Sequence, residues 1–228
     1  WISGATVADF FIVAAKTRPE AGNKGMSVFI VHKDTPGFRV GSHNKKMGVK
    51  GVPTAELIFE DAKVPAENLI GVENEGFKLI MKNLNSLRPV VAARGLGTAE
   101  GCIAYAINYA KERVQFGRPM GLFQAYKHRL ADMLIEIEQA RSAVYWAACA
   151  VDEGSDEAGL ALHAAKSFCA DTFFMCAGNM IQLHGGIGFT WEHDAHLFFK
   201  RARSIQTMLG DGNFHREQVA AIALGEAA

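Results

Sequence analysis

Glu112-Arg113-Val114-Gln115-Phe116-Gly117-Arg118-Pro119-Met120-Gly121-Leu122-Phe123-Gln124 is the stretch whose reading decides the fold. Upstream of it, Leu96, Ile103, Ala106, Ile107 and Ala110 recur at helical spacing, so Arg113 closes a long helix that Gly117 and Pro119 then end. A second helix opens at Leu122. The junction collects a guanidinium, an amide, an aromatic ring and free backbone donors in a short run, which suits a phosphate or a heterocycle. The plain alternative is a helical hairpin with a solvated arginine, since basic residues commonly sit at helix C-termini.

Outward from this junction, a helical period holds from about Glu75 to the end. Helices are expected at 76–111, 122–153, 156–184, 192–208 and 213–226, with breaks at Gly154-Ser155 and Gly185-Gly186. Leu130, Leu134, Ile137 and Val144 are expected to form one apolar stripe. Before Glu75 the pattern changes. Residues 10–15 and 26–31 are apolar and rich in branched or aromatic side chains, 54–60 alternates, and turns fall at Pro36-Gly37 and Gly51-Val52-Pro53. An antiparallel β unit to about Val64 and a loop over 65–71 follow. Strands first and helices afterwards make this an α+β chain with two segregated regions.

A length of 228 residues, 49% of them hydrophobic and 21% charged, gives enough material for a sizeable core in one or two domains. Lys+Arg and Asp+Glu both number 24, so no overall field draws the chain to nucleic acid or to an anionic membrane. No apolar run is long enough to span a bilayer, and the opening residues lack the pattern of a signal peptide. Cys102, Cys149, Cys169 and Cys176 lie in helical, apolar segments without Cys-x-x-Cys spacing, which reads as four free thiols in a reducing compartment.

The opening stretch resembles the Glu-Arg-x-x-Phe-Gly-x-x-(hydrophobic)-x-x-x-Gln signature of the acyl-CoA dehydrogenase family. Residues 87–97, Leu-Arg-Pro-Val-Val-Ala-Ala-Arg-Gly-Leu-Gly, resemble the start of that family's first C-terminal helix, and residues 182–189, Gln-Leu-His-Gly-Gly-Ile-Gly-Phe, resemble its glycine turn. The resemblance implies part of a middle β domain at 1–71 and an up-and-down α-helical bundle at 72–228. It also implies that the family's N-terminal helical domain and the first half of its β domain precede Trp1, making the chain a fragment. The implied activity is FAD-dependent oxidation of an acyl-CoA thioester to the 2,3-enoyl-CoA in fatty acid metabolism. An electron-transfer flavoprotein would accept the electrons, and the assembly would be a homo- or hetero-tetramer built as a dimer of dimers. The compartment would be the bacterial cytoplasm or the mitochondrial matrix.

Carried over residue by residue, Trp1 and Ser3 match a strand entry that lies against the flavin ring, with the hydroxyl at its N5 edge; a donor there stabilises charge arriving on the ring. Arg113, Gln115, Phe116 and Gln124 match residues that hold the pyrophosphate and adenine end of FAD, in part across a subunit boundary, and Gln182 and Gly186 match a second set on that neighbouring surface. Glycines let backbone donors approach a diphosphate closely, although a lone glycine turn is otherwise only a helix breaker. No Gly-x-Gly-x-x-Gly follows a strand, so the pattern is not a Rossmann fingerprint. Asn85 and Arg88 match positions near the acyl thioester; read alone, Arg88 before Pro89 is a kinked helix with a salt bridge.

The chemistry needs a carboxylate to take the α proton. Most of the family carries it in a Tyr-Glu-Gly-Thr stretch, and a minority immediately before the arginine matched by Arg88. Here those two positions read Leu209 and Leu87. A two-residue shift brings Asp211-Gly212 onto Glu-Gly, so Asp211 is the candidate base, against its plain role as cap of a helix starting near Asn213. The missing glutamate leaves open a non-catalytic subunit that supplies FAD contacts to an active partner, and nothing here separates a dehydrogenase from an acyl-CoA oxidase. His193 and His196 are expected to share a helix face without metal-site spacing, so no metal is assigned; His215 reads as a surface residue.

Overall fold

A computed structural model describes residues 1–225 and divides the chain into two compact units, Trp1–Leu84 and the residues from Asn85 onward. In the first unit, β1 (Ile2–Ser3), β4 (Phe38–His43) and β5 (Thr54–Phe59) form one antiparallel sheet in the order β1-β5-β4. A second sheet, in the order β2-β3-β6, is built from β2 (Phe10–Lys16), β3 (Met26–His32) and β6 (Leu69–Ile70). Phe10 faces His32 and Lys16 faces Met26 across a continuous ladder, with a 3-10 turn at Pro19–Gly25 joining the strands.

Two features differ from expectation. Residues 65–71, expected as a loop, hold a 3-10 turn at Ala66–Asn68 and then β6, which pairs Ile70 with Val28 and Leu69 with Phe29. Asn68 anchors this return by donating its Nδ2–H to the Ile30 carbonyl at 2.9 Å. The sequence pattern also passes over β4, whose Phe38 ring sits 5.0 Å from Phe11 and 5.1 Å from Phe59. The Phe11 and Phe38 rings belong to a small core around Ala5, Phe11 and Ala55, with Phe59 exposed at its edge.

The helical part comprises α1 (Gly76–Glu112), α2 (Gln124–Asp152), α3 (Ala158–His184), α4 (Ala195–Thr207) and α5 (Gly212–Leu224). Each begins within three residues of the expected start; the expected end at Glu226 lies outside the described residues. Between α1 and α2 stands a hairpin, β7 (Val114–Gln115) with β8 (Arg118–Pro119), whose two-residue turn places Phe116 and Gly117 at φ of 54° and 76°. Successive positive φ values match strand twist, which is why a glycine occupies the second place.

The helix α3 is apolar on nearly every side and packs against α2, α4 and α5. Its Ala161, Ala165, Cys169, Phe173, Cys176 and Met180 recur at helical spacing and are buried. Gly95 of α1 comes so close that a Cβ there would lie 3.2 Å from the Cys169 carbonyl oxygen. On α2 the buried stripe is Met133, Ile137, Ala140 and Ala147, flanked by Leu130 and Val144; Leu134, expected within it, is exposed. The difference is one step of about 100° around the helix, which carries Leu134 past the seam that Met133 fills. All four cysteines are free thiols, with Cys149 alone exposed. Among the described residues no helix is long and apolar enough to cross a membrane.

Candidate functional site

At one end of α3 two motifs some sixty residues apart meet. The Tyr109 ring of α1 lies 4.5 Å from the ring of His184, the last residue of α3, and the Tyr126 hydroxyl of α2 donates to the Leu183 carbonyl at 2.9 Å. Arg113 follows α1 directly: its N–H donates to the Tyr109 carbonyl at 2.8 Å, and its own carbonyl accepts from Met120 at 2.8 Å. The side chains of Arg113, Gln115, Gln124 and Gln182 are exposed, and Phe116 stands 88% exposed at the tip of its hairpin. Gln115 donates its Nε2–H to the Val114 carbonyl at 2.8 Å.

The glycines of the adjoining turn differ in what requires them. A Cβ on Gly188 would lie 2.7 Å from the Ile181 carbonyl oxygen, so packing within the chain excludes one. A Cβ on Gly186 would meet nothing within 4 Å, and its φ is not in the left-handed region. Among the described residues nothing requires glycine at 186; close approach of a bound group to the backbone would. An exposed ring, a guanidinium, three amides and this open backbone fit the diphosphate and adenine of FAD. In the first unit, Trp1 is 92% exposed and Ser3 of β1 pairs with Thr54 of β5, so both stand exposed at a strand entry.

A second cluster lies toward the other end of α3. Arg88 is half-buried on α1 and donates from a guanidinium NH2 group to Asn85 Oδ1 at 2.6 Å. Pro89 lacks the N–H that the Asn85 carbonyl would accept, yet α1 runs through it unbroken. The charge of Arg88 bears on His163 and Lys166 of α3 and on His215 of α5. Lys166 is fully buried and donates to the carbonyls of Gly210 at 3.0 Å and Gln206 at 3.4 Å. His215, also fully buried, has Nε2 3.1 Å from the Leu209 carbonyl and Nδ1 2.8 Å from Nδ1 of His163. Burial pushes the Lys166 ammonium below its usual range, against the opposing pull of Asp171 and Asp211. Burial, then Lys166, His163 and Arg88, push His215 down to about 4.

These donors converge on the turn between α4 and α5, where Leu209 and Gly210 hold φ of 59° and 106°. Asp211 completes the turn as the N-cap of α5, its Oδ1 accepting from Phe214 N–H at 2.8 Å, and its side chain is exposed. The structure thus places Asp211 in the capping role and beside the cluster that holds Arg88. His215, read as a surface residue, is instead buried, because α5 turns that face onto α3. His193 and His196 do not share a helix face: His193 precedes α4 and accepts from Ala195 N–H at 3.1 Å through Nδ1. Lys166 went unremarked in sequence reasoning; the available signal was a lysine within the otherwise apolar run Ala161 to Ala170.

Comparison with known proteins finds two family models in succession along the chain. Residues 1–62 match the family model for the acyl-CoA dehydrogenase middle domain, and residues 74–224 the model for the acyl-CoA dehydrogenase C-terminal domain. An acyl-CoA dehydrogenase of Bacillus subtilis is 39% identical over 225 residues, which cover 99% of this chain and 59% of that protein. The solved structure of butyryl-CoA dehydrogenase from Megasphaera elsdenii superposes with a TM-score of 0.92 at 38% identity, covering 98% of this chain and 58% of its own. A chain in the structure of the electron transferring flavoprotein of Acidaminococcus fermentans, directed at flavin-based electron bifurcation, superposes with a TM-score of 0.92 at 41% identity, over 98% of this chain and 59% of its own. The chain therefore spans somewhat more than half the length of these relatives.

Proposed function

The chain belongs to the acyl-CoA dehydrogenase family, and from that premise we propose that it takes part in oxidising an acyl-CoA thioester to the 2,3-enoyl-CoA. The observation that carries this reading is the match of two consecutive domains of one family, in order, over nearly the whole chain. FAD, when bound, supplies the acceptor for the hydride that leaves the β carbon. Trp1 and Ser3 would lie against its ring, and Arg113, Gln115, Phe116, Gln124, Gln182 and Gly186 would hold its diphosphate and adenine end. Asn85 and Arg88 would stand near the thioester, and the Asp211 carboxylate would take the α proton as the carbon–carbon double bond forms.

Spacing along α3 supports more than one copy. His163, in the Arg88 cluster, and Gln182, in the glycine turn, are nineteen residues apart, roughly 28 Å along the axis. A flavin whose ring is near Asp211 and whose adenine end meets the exposed junction of a second copy would reconcile the two, and the family resemblance implies a homo- or hetero-tetramer arranged as a dimer of dimers. An electron-transfer flavoprotein is the proposed electron acceptor, and the bacterial cytoplasm or the mitochondrial matrix the proposed compartment.

A second reading has its own observation. Asp211 is engaged as a helix cap and the family's two base positions carry Leu209 and Leu87, which favours a subunit that lends FAD contacts to an active partner. Anaerobic titration of the full-length, FAD-loaded protein with a panel of acyl-CoAs separates the readings. Loss of the flavin absorbance with one acyl-CoA supports oxidation and names the acyl group; a bound flavin that no acyl-CoA bleaches moves the account to the partner subunit.

A further inference from the structure

We propose that His163, His215 and Lys166 are positioning residues: from behind, they fix the turn between α4 and α5, left-handed at Leu209 and Gly210, and so set where the Asp211 carboxylate stands. The inference rests on reading Asp211 as the group that takes the α proton.

The turn is held in an unusual way. Leu209 has no glycine's freedom, yet it sits at φ 59° ahead of Gly210 at 106°. A backbone of this kind persists only where its surroundings over-determine it. Here the carbonyls of Gln206, Leu209 and Gly210 accept from buried side chains, two from Lys166 Nζ and one from His215 Nε2. A buried ammonium bonded to backbone carbonyls is a costly way to fill a core, and an apolar residue would fill the volume without it. What the lysine does that an apolar side chain would not is grip two points of the turn.

The proton positions follow from the partners. A carbonyl only accepts, so His215 Nε2 carries its hydrogen; neutral His215 then presents a bare Nδ1, and the facing Nδ1 of His163 must carry the donated hydrogen. The result is a one-directional chain, from His163 to His215 to the Leu209 carbonyl. It requires His215 to be neutral, because a proton on its Nδ1 would oppose that of His163. The charged and titratable groups around it are Arg88 on α1, His163 and Lys166 on α3, with Asp171 and Asp211 acting on Lys166. The cations nearest the ring work against its protonation.

The test compares His163→Leu and His163→Asn in the full-length, FAD-loaded protein, by anaerobic stopped-flow reduction and by amide hydrogen exchange across residues 209–212. Misplaced catalytic groups cost large factors in rate, so His163→Leu is expected to slow the limiting reduction about tenfold or more, while half-saturation moves less than about twofold and turn amides exchange about tenfold faster. His163→Asn, whose side-chain N–H stands in for Nδ1–H, should restore the rate to within about threefold. An unchanged rate, unchanged exchange or a failure of Asn to rescue overturns the proposal. Should no acyl-CoA reduce the parent protein, the oxidation reading fails, and exchange alone decides whether the turn is held as described. If His163→Leu does not fold, ring nitrogen NMR of the parent protein takes its place: an Nε2–H tautomer of His215 that stays neutral to below about pH 5 supports the chain of bonds, and an Nδ1–H tautomer or titration near the ordinary value overturns it.

Discussion

Asp211 caps α5 and is the group proposed to take the α proton, and one substitution can separate the two roles. Asn caps helices as well as Asp does, so Asp211→Asn should leave the melting temperature nearly unchanged, whereas Asp211→Ala loses the bond to Phe214 N–H and about 1 kcal/mol of stability. Lys166→Met keeps the volume but orphans the Gly210 and Gln206 carbonyls, and should cost about 1–3 kcal/mol in urea unfolding. The same change removes a cation that depresses His215, so that imidazole should titrate at higher pH. Exposed candidates such as Arg113 and Gln124 stood out in the sequence because they belong to one contiguous motif. The buried trio did not, because three of its bonds join residues forty to fifty-two positions apart and no local period reports them.

The long helices were legible because each spans several turns of one period, and their ends fell close to the expected places. Short strands escaped for a physical reason: β6 has two residues, too few to show alternation, and depends on Asn68 holding the chain against β3. The glycine-bearing turns yield a paired prediction. Gly210→Ala would place a Cβ 2.6 Å from the Phe214 ring and 2.9 Å from His215 Nε2 at a φ of 106°, so it should destabilise by about 2 kcal/mol or more. Gly186→Ala meets nothing within 4 Å and should change stability by less than about 0.5 kcal/mol while weakening retention of FAD. Thermal unfolding and flavin retention on a desalting column measure the two effects separately. A stable Gly186→Ala that keeps FAD as the parent does would remove that turn from the flavin site.

Across the whole molecule, pH acts through the buried imidazoles. His215 is held near 4 in the folded chain against an ordinary 6.5, so between those values the unfolded chain binds more protons. Stability from this group is full above about pH 6.5, falls as the pH drops, and is spent near pH 4, amounting to on the order of 3 kcal/mol. His163 and His184 are also shifted down, chiefly by burial, and add loss of the same sign. Urea unfolding from pH 8 to pH 4 should show this decline, and His215→Gln should flatten it. The α+β class was legible from the change of period near Glu75, where strands give way to helices. How the distant ends of α3 would serve one flavin, as proposed, was not, since that depends on surfaces a single chain leaves exposed. The most direct test of the account is the single-turnover reduction of FAD by the best acyl-CoA in the parent and in Asp211→Asn. The account predicts a well-folded variant, loaded with flavin, whose reduction is slower by about a hundredfold or more, within the span general bases contribute. Reduction of Asp211→Asn at the parent rate would contradict it.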